Sequence, residues 1–437
     1  MTPVRLDLPV RPSEAAELAN LVFDLAERAP LTDDIRNRIA ARASALRLDT
    51  IRPYFGSLER DPVHPSSYYL AIDGAAAEPL LLHMALATAP TSSLFPKPLL
   101  IGRMRRLRGP EMVINAIPFA PSDSEQIEKF CFRIDTAFLP RPQGPGPTIT
   151  VSGDPPSQVQ PAAFEAFRSV LKRTGKNLTS FGLATAPDAG LWSAIRAGWR
   201  EGYNTSAELP LPGTSPDEIS DAMKETIRRV AACSTFSIGA NGLPGLEAWS
   251  DAAIEERFEK TFTADERGWI FDEFVRSFDG GNAVYELHSA QVLRLAVQFA
   301  HSLRQIDQLH VSIRQTRSSL KMNRSFDLEL LLENASTATT PQQLIFCLHW
   351  FKQRGRPARL VAPCLEGARD LAEQLRTLSG IALHFQAKLS IRSVTSHTPE
   401  VLDAIARATL GRVNYRLCAT PEVIGACIHR LAGHFVG

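Results

Sequence analysis

The sequence has no Cys-x-x-Cys pair, no Gly-x-Ser-x-Gly elbow and no glycine-rich loop of the phosphate-cradling kind. A zinc ribbon, an α/β-hydrolase nucleophile and a Walker or dinucleotide loop are therefore not indicated. The stretch RPQGPGP has the glycines of a nucleotide loop, but its prolines remove the backbone donors that would hold phosphate. The six cysteines (Cys131, Cys233, Cys347, Cys364, Cys418 and Cys427) are scattered among apolar residues, which reads as buried, reduced thiols. Charge of either sign is not in excess: 48 Lys and Arg face 47 Asp and Glu, so no overall field recruits nucleic acid or an anionic membrane. The run RMRRLRG is basic but short and carries no aromatics, so a solvated hairpin is the better reading than a nucleic-acid contact. No window approaches a membrane span, and no apolar stretch follows the first residues as in a secretory leader. A cytoplasmic protein without membrane or nucleic-acid partners is expected, and a homo-oligomer is an open option.

What is present is an alternation of short β-rich runs with amphipathic helices. Eight candidate strands are MVINAIPF, NLTSFGLAT, YNTSAEL, TFSIGA, FDLELLLE, ARLVAP, KLSIRSV and VNYRLCA. Helical segments between them include 161–173, 216–232, 341–353, 365–378 and 399–408, with further candidates at 125–138 and 189–201. Several open on Thr or Ser before Pro, the residues of an N-cap and a first turn. Parallel strands joined by helical crossovers follow, and eight such units predict an α/β fold, a (β/α)8 TIM-barrel-like domain, over residues 111–437. An N-terminal accessory α+β module is expected over residues 1–110, a helical insertion over about 243–323, and a Pro- and Gly-rich loop over most of 138–161.

One strand raises a chemical question. In SFDLELLLE, alternation puts Asp327, Glu329, Leu331 and Glu333 on one face and Leu328, Leu330 and Leu332 on the other. The leucines suit the helix-covered outside of a barrel, so the acids face its interior or rim and need a metal, a cationic side chain or a bound ligand as partner. One buried ion pair with the other acids solvated is the structural alternative. Of the ten histidines, His288, His301 and His310 do not repeat on one helix face. His349 lies in an apolar helix, and His429 and His434 turn to different faces. Only His397, between a barrel strand and a helix start, stands where barrel chemistry occurs.

The segment FDLELLLENASTATTPQQLIFCLHWFKQRG, followed by RLVAP and KLSIRSV, resembles the tagaturonate epimerase family of sugar-acid enzymes, and LWSAIRAGWREGYNTSAEL, TSPDEISDAMKETIRRVAACSTFSIGA and IEERFEKTF agree in order. The resemblance runs from about Ala186 to the C-terminus and implies a barrel and a divalent-metal-dependent epimerisation of tagaturonate and fructuronate. Carried over position by position, the family's Asp-His pair becomes Ala207 and Glu208, its strand glutamate stays as Glu329, and a Glu-His pair becomes Gln343 and Leu344. An expected His becomes Arg392 and an expected Lys becomes His397. A guanidinium is always charged and cannot ligate a metal, but it can stand in for the cation. The expectation is a metal site lost, with Glu208, Glu329 and Arg392 forming a metal-free cluster. Two functions follow: an epimerase of a keto-sugar acid, in which Glu208, Glu329 or His397 moves a proton and Arg392 or Arg141 fixes a carboxylate, or a catalytically inactive paralogue that binds a sugar acid or a protein partner.

Overall fold

The structure is a computed structural model that describes residues 12–26, 31–46, 48, 50–60, 66–73, 79–88, 99–105, 110–118 and 138–435, the last range with short interruptions of which 184–192 and 212–218 are the widest. The chain divides into two compact units, one of residues up to Leu139 with Asp188–Gly202, the other of Pro140–Pro187 with Tyr203–Gly437.

The first unit has two helices, α1 (Pro12–Ala26) and α2 (Asp33–Ala43), and an antiparallel sheet of β1 (Ile51–Arg60), β2 (Ser66–Asp73), β3 (Pro79–Leu86), β4 (Leu99–Arg105) and β5 (Glu111–Pro118) in the order β1-β2-β3-β5-β4. Leu18, Val22, Ile39, Ile51, Leu82, Met84, Met112 and Ile114 form its core. The Glu14 carboxylate fixes the entry to β1 by accepting both the backbone N–H and the hydroxyl of Thr50 at 2.9 Å. MVINAIPF, expected as the first barrel strand, is β5 of this sheet, paired antiparallel with β3 and β4. The unit extends past the boundary expected at residue 110. The helices expected at 125–138 and 189–201 fall largely outside the described residues.

The second unit is a closed eight-stranded parallel barrel, a (β/α)8 fold, in the order β12-β13-β14-β15-β6-β7-β8-β9. Its strands are β6 (Thr148–Ser152), β7 (Thr179–Leu183), β8 (Asn204–Leu209), β9 (Thr235–Gly239), β12 (Asp327–Leu331), β13 (Leu360–Ala362), β14 (Lys388–Ile391) and β15 (Val413–Cys418). The helices α3 (Pro156–Thr174), α4 (Asp221–Val230), α8 (Pro341–Gln353), α9 (Leu371–His384), α10 (Pro399–Ala408) and α11 (Pro421–Gly433) lie between or after them. Seven strands match the sequence expectation; the eighth, TITVS, lies inside the segment expected to be loop. Flanking Pro and Gly hid it, yet Ile149 and Val151 face the helices while Thr148 and Thr150 hydrogen-bond inside. Thr340 caps α8 through a capping box, as the Thr-Pro pattern predicts.

Between β9 and β12 the chain builds α5 (Asp251–Thr261), α6 (Ala264–Phe274), a hairpin of β10 (Ser277–Asp279) and β11 (Val284–Glu286), and the long α7 (Ser289–Ser319). His349 packs against Phe274 and Phe278 in an aromatic cluster, as its apolar helix suggests. Among the described cysteines, Cys233, Cys347 and Cys364 are buried and outside any disulfide, whereas Cys418 is exposed at the end of β15. No helix among the described residues is long and apolar enough to cross a membrane.

Candidate functional site

A packed (β/α)8 interior is ordinarily filled by branched apolar side chains. Here the inward positions are largely polar: Thr148 and Thr150, Ser180, Asn204 and Ser206, Thr235 and Ser237, Asp327 and Glu329, Lys388 and Ser390, Asn414 and Arg416. Alternation sends their neighbours Phe181, Phe236, Leu328, Leu330, Leu389 and Tyr415 outward, where they are buried. Polar atoms in such a place are expected to pair with one another, and most of the described ones do.

At the N-terminal end of the strands, Gln143 enters from the loop before β6. Its side-chain amide donates to Ser180 Oγ (2.9 Å) and Asn204 Oδ1 (3.0 Å), and its backbone N–H donates to Asp327 Oδ2 (2.8 Å). Asn204 Nδ2 donates to Ser234 Oγ (2.8 Å) and Thr235 Oγ1 (2.7 Å). Asn414 Oδ1 accepts from Thr148 and Thr150, both at 2.8 Å, and its Nδ2 donates to Ser390 Oγ at 2.9 Å. Lys388 closes this end, donating to the Gly146 carbonyl and to Thr148 Oγ1. Burial pushes its ammonium down to about 7, against the opposing pull of Asp327 and Glu329. Burial likewise raises the Asp327 carboxyl above its ordinary value, while the Gln143 and Gly144 backbone N–H groups work the other way.

The depressed lysine fixes the sign of a pH effect. Between about pH 7 and the ordinary lysine value of 10.5 the unfolded chain holds a proton that the folded chain has released. Stability from this group therefore rises with pH across that window and falls as the pH drops back through 7. Denaturant unfolding at several pH values from 7 to 10 should show wild type gaining on Lys388→Met by up to ~1.4 kcal/mol per pH unit; parallel curves would remove the assignment.

Toward the C-terminal end of the strands, where barrel enzymes carry their chemistry, the side chains form two ion clusters. In the deeper one, Glu329 is 0% exposed and its Oε2 accepts from Ser237 and Arg416. Arg416 Nη2 also donates to Ser237 Oγ at 2.7 Å. Glu329 Oε1 and Arg416 Nε are buried with no hydrogen-bond partner among the described residues. In the outer cluster, Arg392 Nη1 is shared by Glu208 Oε2 (3.0 Å) and Glu333 Oε1 (2.7 Å). Burial raises the Glu333 carboxyl above its ordinary value; Arg392 and Arg416 oppose this, and the like charges of Glu208 and Glu329 reinforce it.

Two acids of SFDLELLLE, Glu329 and Glu333, thus have arginine partners, while Asp327 accepts from the Gln143 backbone N–H. Glu208 meets Arg392, whereas the cation on Glu329 is Arg416 and not Arg392, and the second carboxylate on Arg392 is Glu333. His397 precedes α10; its backbone carbonyl accepts from Arg430 at 3.3 Å, and among the described residues no hydrogen bond or ion pair ties its imidazole to either cluster. Arg141 is elsewhere: it precedes β6, its N–H donates to the Tyr203 carbonyl (2.7 Å) and its carbonyl accepts from Asn204 (3.2 Å), which puts it at the N-terminal end of the strands, opposite the mouth. Sequence reasoning missed Arg416, Ser237 and the part played by Glu333. The signal was present, because VNYRLCA and TFSIGA also place polar residues at every second position of a buried strand.

A divalent cation does not fit these residues. Three carboxylates converge, but two guanidiniums already occupy the space between them, and neither can ligate a metal. Among the described residues no group of three or more His, Cys, Asp or Glu side chains could hold a metal ion.

No protein-family model matches the sequence, and no curated protein sequence matches it. Solved structures do. The native crystal structure of fructuronate-tagaturonate epimerase UxaE from Cohnella laeviribosi matches with a TM-score of 0.58 at 14% identity, over 88% of this chain and 74% of that one. Two glycerol complexes of the same enzyme match at 0.59 and 14% identity, over 88% and 87% of this chain and 74% of the other in both cases. At that identity the likeness is one of architecture: this chain shares its fold with a fructuronate-tagaturonate epimerase.

Proposed function

We propose that the barrel mouth binds a keto-sugar acid and that the protein is a tagaturonate/fructuronate epimerase-like protein of hexuronate metabolism, epimerising its substrate by proton transfer. The observation that carries this reading is the pair of glutamate-arginine clusters inside the C-terminal end of a barrel whose fold is shared with such an epimerase. Carboxylates can exchange protons with a substrate, and a guanidinium can hold a substrate carboxylate or stabilise negative charge developing on oxygen. In this reading Glu329, fixed by Ser237 and Arg416, or Glu208 moves the proton. Arg392 takes the carboxylate end of the ligand.

A second reading is favoured by the same geometry. Arg416 and Arg392 fill the space among the carboxylates, which suits a paralogue that binds a sugar acid without turning it over. Incubating purified protein with tagaturonate and with fructuronate, and following interconversion in both directions, tests the two. Epimerisation that drops by roughly a hundredfold or more in Glu329→Gln supports the enzyme. No interconversion, with a sugar acid still raising Tm, selects the binding protein.

A further inference from the structure

Among the described residues, the two ion clusters at the mouth hold one more negative than positive group: Glu208, Glu329 and Glu333 against Arg392 and Arg416. An anionic ligand adds a further negative charge, and the accessible cation, Arg392, is already shared by two carboxylates through a single Nη1. A ligand carboxylate that takes Arg392 face-on, through both Nη1 and Nη2, competes for the Nη1 that the two glutamates share and leaves at least one of them without its partner. The two are not equivalent. The Glu208 side chain is 52% exposed and can be solvated by water when released; that of Glu333 is 23% exposed. Glu333 also stands within the field of Glu329, whose own cation, Arg416, is engaged.

Resting on the binding reading above, we propose that Glu333 is a proton-coupled gate: a carboxylate ligand draws Arg392 away from it, and Glu333 takes up a proton from solvent as the ligand binds. Among the described residues, the groups that face Glu333 are Arg392 from the end of β14, Arg416 from β15, Glu208 from β8 and Glu329 from its own strand. Its carboxyl already sits above the ordinary value before any ligand arrives, and losing Arg392 removes the largest influence holding it down. Once protonated, Glu333 changes from an acceptor to a donor and can give a hydrogen bond to the ligand carboxylate that displaced it. Deeper in the same mouth, Oε1 of fully buried Glu329 has no partner among the described residues and is an acceptor suited to a ligand hydroxyl. The class of ligand is therefore a hydroxylated monocarboxylate, bound with one proton.

The test uses galactonate, a sugar acid with no carbonyl to enolise, titrated calorimetrically into the full-length protein. Buffers of equal pH and different ionisation heat report the protons taken up. Near-stoichiometric uptake is expected at a pH where free Glu333 is ionised, with affinity falling by up to tenfold per pH unit above that point. Glu333→Gln, which fixes the neutral form, should abolish the uptake, flatten the pH profile and bind more tightly than wild type at pH 8. Binding with no buffer-dependent heat in wild type overturns this proposal and leaves the sugar-acid reading standing. Uptake that survives in Glu333→Gln also overturns it, because the proton then lands elsewhere. Absence of galactonate, tagaturonate and fructuronate binding at millimolar concentration overturns both. Proton-linked galactonate binding without epimerisation of tagaturonate upholds the gate and removes only the enzyme reading.

Discussion

Arg416→Met destabilises the protein by about 3–5 kcal/mol, because it leaves the fully buried Glu329 carboxylate without its cation in a low-dielectric interior. The methionine fills much the same volume, so the loss is one of charge compensation and not of packing. The double variant Arg416→Met with Glu329→Gln should recover most of the loss, since the uncompensated charge is then gone and Ser237 can still hydrogen-bond to the amide. Urea unfolding of wild type, the two single variants and the double variant closes this cycle. A loss below ~1 kcal/mol in Arg416→Met would mean that Glu329 is not held as an ion pair, the behaviour of a solvent-exposed contact and not of a buried one.

Asn204→Ala has the second largest expected effect, about 3 kcal/mol, by the cost of leaving several buried polar groups unpaired at once. Its Oδ1 accepts from Gln143 and Ser180, and its Nδ2 donates to Ser234, Thr235 and the Arg141 carbonyl. Alanine removes the node that joins β7, β8 and β9 to the loop before β6. The same urea measurement reports it, and hydrogen exchange should quicken at the Gln143 amide, which donates to Asp327 from that loop. An effect near zero would show that water replaces the missing amide, so that the network is wet and adaptable.

These two residues also mark what was readable in advance. Period-two alternation on FDLELLLE predicts that the leucines face the helices and the acids face inward, and the structure has Leu328 and Leu330 buried outside with Asp327 and Glu329 inside. The eight-unit pattern predicts the barrel, and capping residues place the start of α8. TITVS was not legible because its five residues sit between Pro- and Gly-rich flanks, and MVINAIPF was misplaced because a short apolar run reads alike in a parallel barrel and in an antiparallel sheet. What distinguishes those two strands is their partners, and partners are not a local property.

The same limit applies at the site. The resemblance and the alternation bring Glu208, Glu329 and Arg392 into consideration, and the residue types alone exclude guanidinium as a metal ligand. Which acid meets which arginine was decided only by closure of the barrel. Arg416 on β15 reaches Glu329 on β12 and Ser237 on β9, and Arg392 after β14 reaches Glu208 on β8 and Glu333 after β12. None of these pairs lies on neighbouring strands. Closure also sent Arg141 to the end of the barrel away from the mouth, because the loop that carries it precedes β6. Sequence alone determined the inward and outward faces, since alternation is a property of each strand. The ion pairs belong to the tertiary structure, since contacts across a barrel depend on the stagger and tilt of strands that are distant in the chain.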